Sequence, residues 1–155
     1  MPAALLGVIL FALIPHLYMA GASIDRLIVQ LPARHRMGPV AYAEYARSTD
    51  LGRGRIVYPA ANALGGAALL AALALALLLR ESREVIVALV VAAFFALLAR
   101  VVTRRAAPAM LQIGRSDDRE SVITPLLERF ARLAPIRMTC LSLASVSLLW
   151  AVLVR

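Results

Sequence analysis

The sequence holds one cysteine, Cys140, two histidines, His16 and His35, and no lysine among its 17 basic residues, all of which are arginine. A lone cysteine excludes an internal disulfide framework, a CxxC redox pair and any multi-cysteine metal site. Two histidines are too few for the clustered-histidine iron centres of membrane desaturases and hydroxylases, because each metal needs several nitrogen or carboxylate ligands. No protein-held metal and no resident cofactor are therefore expected, and any redox chemistry must run cofactor-free or on a bound cofactor. The chain also lacks GxSxG, P-loop, HExxH and GxGxxG patterns. None of its apolar runs carries the embedded carboxylate of a small proton-coupled antiporter, so transport is not supported.

What the sequence does have is apolar length. Hydrophobic residues make up 62% and mean hydropathy is +0.82, against roughly 45–50% apolar residues in ordinary soluble domains. A hydrocarbon core of ~30 Å asks for ~20 apolar residues whose backbone polar groups are satisfied within the helix. Residues 1–24 and 56–79 contain no charged side chain at all. The third run, 85–99, is prolonged by Val101, Val102 and Thr103 if Arg100 snorkels toward the headgroups, and the fourth lies between Arg137 and Arg155. The prediction is an all-α fold: a polytopic membrane four-helix bundle, one domain over residues 1–155, with spans at about 3–24, 56–79, 85–103 and 136–154. Ala20-Gly21-Ala22 has the look of a signal-peptide cleavage site, but the segment lacks a basic n-region, so a retained span is expected.

Arginine placement sets the expected orientation. Thirteen arginines fall in the two long connections, residues 25–55 and 104–137, whereas the second connection has only Arg80 and Arg83 and the C-terminus adds Arg155. The chain is thus expected in the cell membrane with both termini outside and both long connections in the cytoplasm. Because the basic residues sit beside spans, a pI near 11.2 speaks for membrane lipids as partners and not for nucleic acid. The connections are apolar enough to hold short interfacial helices. One covers Val40 to Arg47, with Tyr42 and Tyr45 at its interface-facing edge, before a Gly52-Arg53-Gly54 breaker. A second starts at Thr124 as N-cap with Pro125 at its first position, carries Leu126, Leu127, Phe130 and Leu133 on one face, and is kinked or ended by Pro135. Asp117, Asp118 and Glu120 read as a solvated loop.

Lipid gives helices no hydrophobic reason to associate, so small residues mark close approach. Ala61 and Gly65, and Ala68, Ala72 and Ala76, are spaced as a packing seam on the second span. His16 is the most informative polar residue within a span. It follows Pro15, whose ring removes the hydrogen bond to the Phe11 carbonyl, and it is either hydrogen-bonded to a neighbouring helix or to that carbonyl, or functional. Tyr58 and Asn62, four apart around Pro59, can meet it at similar depth. Arg100, Arg104, Arg137 and Asp25 are candidates for a charged, substrate-binding ring over the bundle mouth; positive-inside anchoring and lipid-phosphate contact are the alternative for most arginines, with Arg100, the deepest, as the exception, since a buried guanidinium needs a carboxylate or phosphate partner.

The order of features resembles a family. Leu31-Pro32 follows the first span, Arg55-Ile56-Val57-Tyr58-Pro59 opens the second, and Pro108-Ala109-Met110 ends the third. Leu127-Glu128-Arg129-Phe130 then leads to Ile136-Arg137-Met138 at the fourth. This pattern is similar to the small four-helix bacterial and fungal membrane proteins grouped with the anthrone oxygenases. Arg137 and Pro108 match the family pattern; Ala109 stands where asparagine is common and Phe130 where tryptophan is. Characterised fungal members oxidise anthrones to anthraquinones with molecular oxygen, so the resemblance implies a lipophilic small molecule as partner. An anthrone is acidic at carbon and reacts with oxygen once deprotonated. That chemistry needs a base, for which His16 is the candidate, and donors to the enolate oxygen, for which Tyr58 and Asn62 are candidates. Other readings stand beside it: a non-catalytic membrane protein that binds lipid or a partner helix, with homo-oligomers allowed, or isomerisation or epoxide opening in the same pocket.

Overall fold

A computed structural model describes residues 1–116 and 119–154; Asp117, Asp118 and Arg155 lie outside the described residues. Every regular element among the described residues is helical: α1 (Ala3–Asp25), α2 (Leu31–Met37), α3 (Pro39–Ser48), α4 (Gly54–Leu78), α5 (Arg83–Ile113) and α6 (Glu120–Leu153). Wider π-type turns over Arg26–Gln30 and Thr49–Arg53 join α1 to α2 and α3 to α4. Four helical stretches are long and apolar enough to cross a membrane, and the chain is an all-α, multi-pass membrane bundle. In the ring of four, α1 lies against α4 and α6, and α5 lies against the same two from the other side. Each neighbour runs antiparallel to the next. Leu5 and Ile9 near the start of α1, for instance, share a cluster with Ala72 and Ala76 at the end of α4, Val85 at the start of α5 and Leu148 at the end of α6.

The helices turn their inner faces by a regular spacing. A buried stripe on α1 runs through Leu5, Ile9, Ala12, His16, Met19, Ser23 and then Arg26, alternating steps of four and three, with Leu13, Pro15 and Ala20 buried beside it. That repeat, close to 3.5 residues, keeps one stripe facing the partner along the whole crossing. The π-type turn then inserts one residue into the register, so Leu31 and not Gln30 is the next buried side chain. On α6 the same alternation passes through Ile123, Leu127, Phe130, Arg137, Leu141, Ala144, Leu148 and Ala151, with Arg137 half-buried and the rest buried. Ala68, Ala72 and Ala76 are buried on α4, as a small-residue seam requires. Between the buried stripes, Phe11, Ile14, Leu70, Leu78, Phe94, Leu97, Val146 and Trp150 face outward, apolar surface that suits lipid.

The helices outrun the spans. α6 has 34 residues, about 50 Å at 1.5 Å per residue against a hydrocarbon core of ~30 Å. Two expectations from the sequence do not hold. There is no separate helix starting at Thr124 and ending at Pro135: α6 runs unbroken from Glu120 and contains both Pro125 and Pro135. Proline removes one backbone donor, and a long helix packed on its neighbours absorbs that loss where a free-standing one would break. α5 likewise continues through Pro108 to Ile113. Second, Tyr42 is 1% exposed and sits inside a cluster with Leu31, Ala106, Met110 and Phe130; only Tyr45 reaches the surface. The α2–α3 pair folds back at Gly38, whose φ of +83° suits a residue without a Cβ. It is tied down by Arg47, which donates to the Ile113 and Ser116 carbonyls at the end of α5, and by Arg34, which donates to Leu127 O. The expected break at Gly52 is present as a non-helical ψ of −118°.

Candidate functional site

Neighbouring helices do not pack equally. α5 and α6 make the most extensive pair, whereas α4 and α5 have the least contact of the four adjacent pairs. The looseness is concentrated at the arginine-rich end, where a cleft of about 670 Å³ opens between α4 and α5. Its walls are apolar, with Pro59, Ala63, Ala107, Met110, Leu111 and Phe130, while Arg26, Arg55, Arg100, Arg104 and Arg137 supply positive charge against, among the described residues, the single carboxylate of Asp50. Tyr58 and Asn62 also line it.

The two π-type turns meet at this cleft. Arg26, in the first, is 7% exposed and pairs with Asp50, in the second, through a hydrogen-bonded ion pair. The Arg26 guanidinium also stands 5.4 Å from the Tyr58 ring centre and 5.7 Å from that of Phe130, a cation held between two aromatic faces. Burial pushes the Asp50 carboxyl above the ordinary carboxylate value, and Arg26 and then Arg137 pull it back. Arg137 reaches the same place from α6 but forms no ion pair among the described residues, and its Nε, like that of Arg26, is buried without a hydrogen-bond partner.

His16 lies next to this cleft, in a different space. It is 6% exposed, and its Nδ1 is 2.8 Å from the Ala12 carbonyl. A carbonyl only accepts, so that bond puts the proton on Nδ1 and leaves Nε2 as the basic nitrogen. The cavity beside it, lined by Pro15, Met19, Asn62, Gly65, Arg100 and Leu141 among others, has about 10 Å³, near the minimum for one water molecule. Two glycines make this junction. A Cβ at Gly65 would lie 3.0 Å from the Pro15 ring and 3.1 Å from the His16 imidazole, and one at Gly66 would overlap the Arg100 guanidinium. Arg100 thereby reaches the Asn62 backbone carbonyl at 2.6 Å. The Asn62 side chain donates to Tyr58 O, one turn back on α4.

The structure therefore gathers Tyr58, Asn62, Arg100, Arg104 and Arg137 at the cleft, and joins His16 to Asn62 and Arg100 in the narrow cavity behind it. It does not bring Asp25 to the site. Asp25 is exposed on the outer side of its helix and accepts from Gln30 Nε2 at 2.6 Å, because the stripe that faces inward passes through Arg26. The carboxylate of the charged mouth is Asp50, which lies in a connection outside the apolar runs and has no sequence signal of its own. Arg26 does have a signal in the sequence, because the four-three spacing of Leu5, Ile9, Ala12 and His16 extends directly to it. No group of three or more histidine, cysteine, aspartate or glutamate side chains able to hold a metal occurs among the described residues. No protein family, curated protein or solved structure matches the chain.

Proposed function

We propose that this chain is an integral protein of the cell membrane, with both termini outside, that binds a lipophilic small molecule in the cleft between α4 and α5. The observation that carries the reading is the cleft itself: about 670 Å³ of space with apolar walls and a cluster of arginines, formed where lipid-facing helices separate. Pockets of this size and lining suit small lipophilic ligands anchored by a few polar groups. Native mass spectrometry of the detergent-purified protein tests it. A co-extracted lipophile is expected on the wild type and is expected to be lost from Ala107→Trp, which fills the cleft wall without altering charge; a ligand-free wild type that accepts no added lipophile overturns the reading. Orientation rests on the arginine bias of the two long connections. Ser82→Cys should label from outside intact cells and Ser48→Cys should not; the reverse pattern inverts the topology.

A catalytic version is favoured by one observation, that Asn62 and Arg100 border both the cleft and the cavity of His16. An anthrone-type carbon acid in the cleft would lose its proton to His16 Nε2, through a single bridging water, while Tyr58 or Arg100 holds the enolate oxygen. The carbanion then reduces molecular oxygen, so that the methylene becomes a carbonyl and one water leaves. Oxygen uptake with a lipophilic anthrone should survive metal chelation. It should fall about 10²–10⁴-fold in His16→Ala, the usual contribution of a positioned base. Unchanged uptake in His16→Ala removes the oxygenase and leaves the non-catalytic binding protein.

A further inference from the structure

One buried and one half-buried arginine, Arg26 and Arg137, stand at the inner end of the cleft with Asp50 as the one carboxylate there among the described residues. Arg26 takes Asp50, and Arg137, brought alongside by the seam of α6, has the same carboxylate nearby without pairing to it. Both Nε groups are buried without a hydrogen-bond partner among the described residues, and Arg55, Arg100 and Arg104 add positive charge along the same cleft. A guanidinium removed from water needs an acceptor in the plane of its fork, and an oxyanion with several oxygens supplies two arginines at once. The surplus of positive charge favours a group carrying more than the single negative charge of a fatty acid. From the head site the cleft continues past Ala107, Met110 and Leu111 between α4 and α5, apolar and open toward the flank of the bundle. We propose that the ligand is a phosphate-headed amphiphile, its phosphate held by Arg137 and Arg26 and its chain lying in the α4–α5 opening. This deepens the lipophile-binding reading above and rests on it.

The test uses the full chain in neutral detergent, with native mass spectrometry as readout and three probes: dioleoyl phosphatidic acid, dioleoylglycerol, which has the same chains without the phosphate, and inorganic phosphate. Phosphatidic acid is expected to bind at least about tenfold more tightly than dioleoylglycerol, the scale of one charge-assisted hydrogen-bonded contact. Arg137→Gln should remove that preference while leaving the weak binding of dioleoylglycerol. Displacement of the lipid by millimolar inorganic phosphate would support the anion site and assign it a soluble phosphate; no displacement assigns it the lipid headgroup. Equal binding of the two lipids by the wild type, lost from both in Ala107→Trp, overturns the phosphate head and leaves the cleft reading standing. Lipid binding indifferent to Ala107→Trp overturns the cleft reading as well. The wild-type comparison of the two lipids decides the matter even if Arg137→Gln does not fold.

Discussion

The two ends of this bundle are built on the same repeat and come out differently. At the arginine-poor end the inward positions are Leu5, Ile9, Ala72, Ala76, Val85, Ala92, Leu148 and Ala151, and the helices close on one another in one continuous cluster. At the arginine-rich end the same register delivers Arg26 from the π-type turn that follows α1 and Arg137 from α6, with Asp50 from the turn before α4, and α4 parts from α5. Spacing decides which residue faces inward, while residue type decides whether what faces inward packs or holds a site open. In lipid the distinction sharpens, because small side chains gain by close approach whereas guanidinium groups must find partners at any separation.

The largest effect expected from breaking this contrast comes at Asp50. Asp50→Ala leaves Arg26 and Arg137 side by side without the Asp50 carboxylate, and removing one member of a buried ion pair typically costs about 3–5 kcal/mol. In detergent the melting temperature should drop sharply. If the arginines hold a phosphate-headed ligand, added phosphatidic acid should restore part of the loss, an effect absent in dioleoylglycerol. A variant as stable as the wild type in neutral detergent would show that the pair does not hold this end together.

At the closed end, Leu148→Ala removes a fully buried side chain from the cluster of all four helices. In a soluble core such a change costs about 2–5 kcal/mol, part of it the transfer of apolar atoms from water. Much of that transfer part drops out where the separated helices still lie in lipid, leaving the lost packing. The expected cost is at the lower end of the range, about 2 kcal/mol, with phosphatidic acid binding unaltered. Loss of ligand binding together with stability would mean that the two ends are not independent.

Most of the architecture was legible from charge alone. Runs without charged residues mark helices that must satisfy their own backbone in lipid, and four such runs give four spans. What charge could not reveal is how far each helix continues beyond the lipid. Pro125, Pro135 and Pro108 read as boundaries by the rule for isolated helices, yet each lies inside a continuous one, held by packing against neighbours. The site was half legible. Tyr58, Asn62, Arg100, Arg104 and Arg137 stood out as polar residues in or next to spans, and the cleft collects all five. Asp50 was hidden because its role depends on a chain reversal at Gly38 and a π-type turn, neither of which has a hydropathy signature. Asp25 was misplaced by one residue of helix: next to Arg26 in sequence, it lies about 100° around the axis from it.

The finest comparison is between two adjacent glycines. Gly65 and Gly66 occupy the join of the two halves, one facing α1 and the other facing the Arg100 guanidinium. In helix propensity alone, each change to alanine should stabilise, by roughly 0.5–1 kcal/mol. Gly65→Ala meets the Pro15 ring at 3.0 Å and the His16 imidazole at 3.1 Å. The ring is fixed to its own helix and the imidazole is bonded to Ala12, so neither yields without moving α1 from α4. Packing strain of about 1–3 kcal/mol should outweigh the propensity gain. Gly66→Ala meets only the far end of a long, exposed side chain. Arg100 swings away and loses its bond to the Asn62 carbonyl, worth about 0.5–1.5 kcal/mol, which the gain in propensity nearly offsets. Thermal melts of the two variants in one detergent should therefore diverge, with Gly65→Ala lowered and Gly66→Ala within a few degrees of wild type. Equal melting temperatures would mean that α1 and α4 are not in hard contact at Pro15, and that His16 is reached from the cleft more freely than a cavity of about 10 Å³ allows.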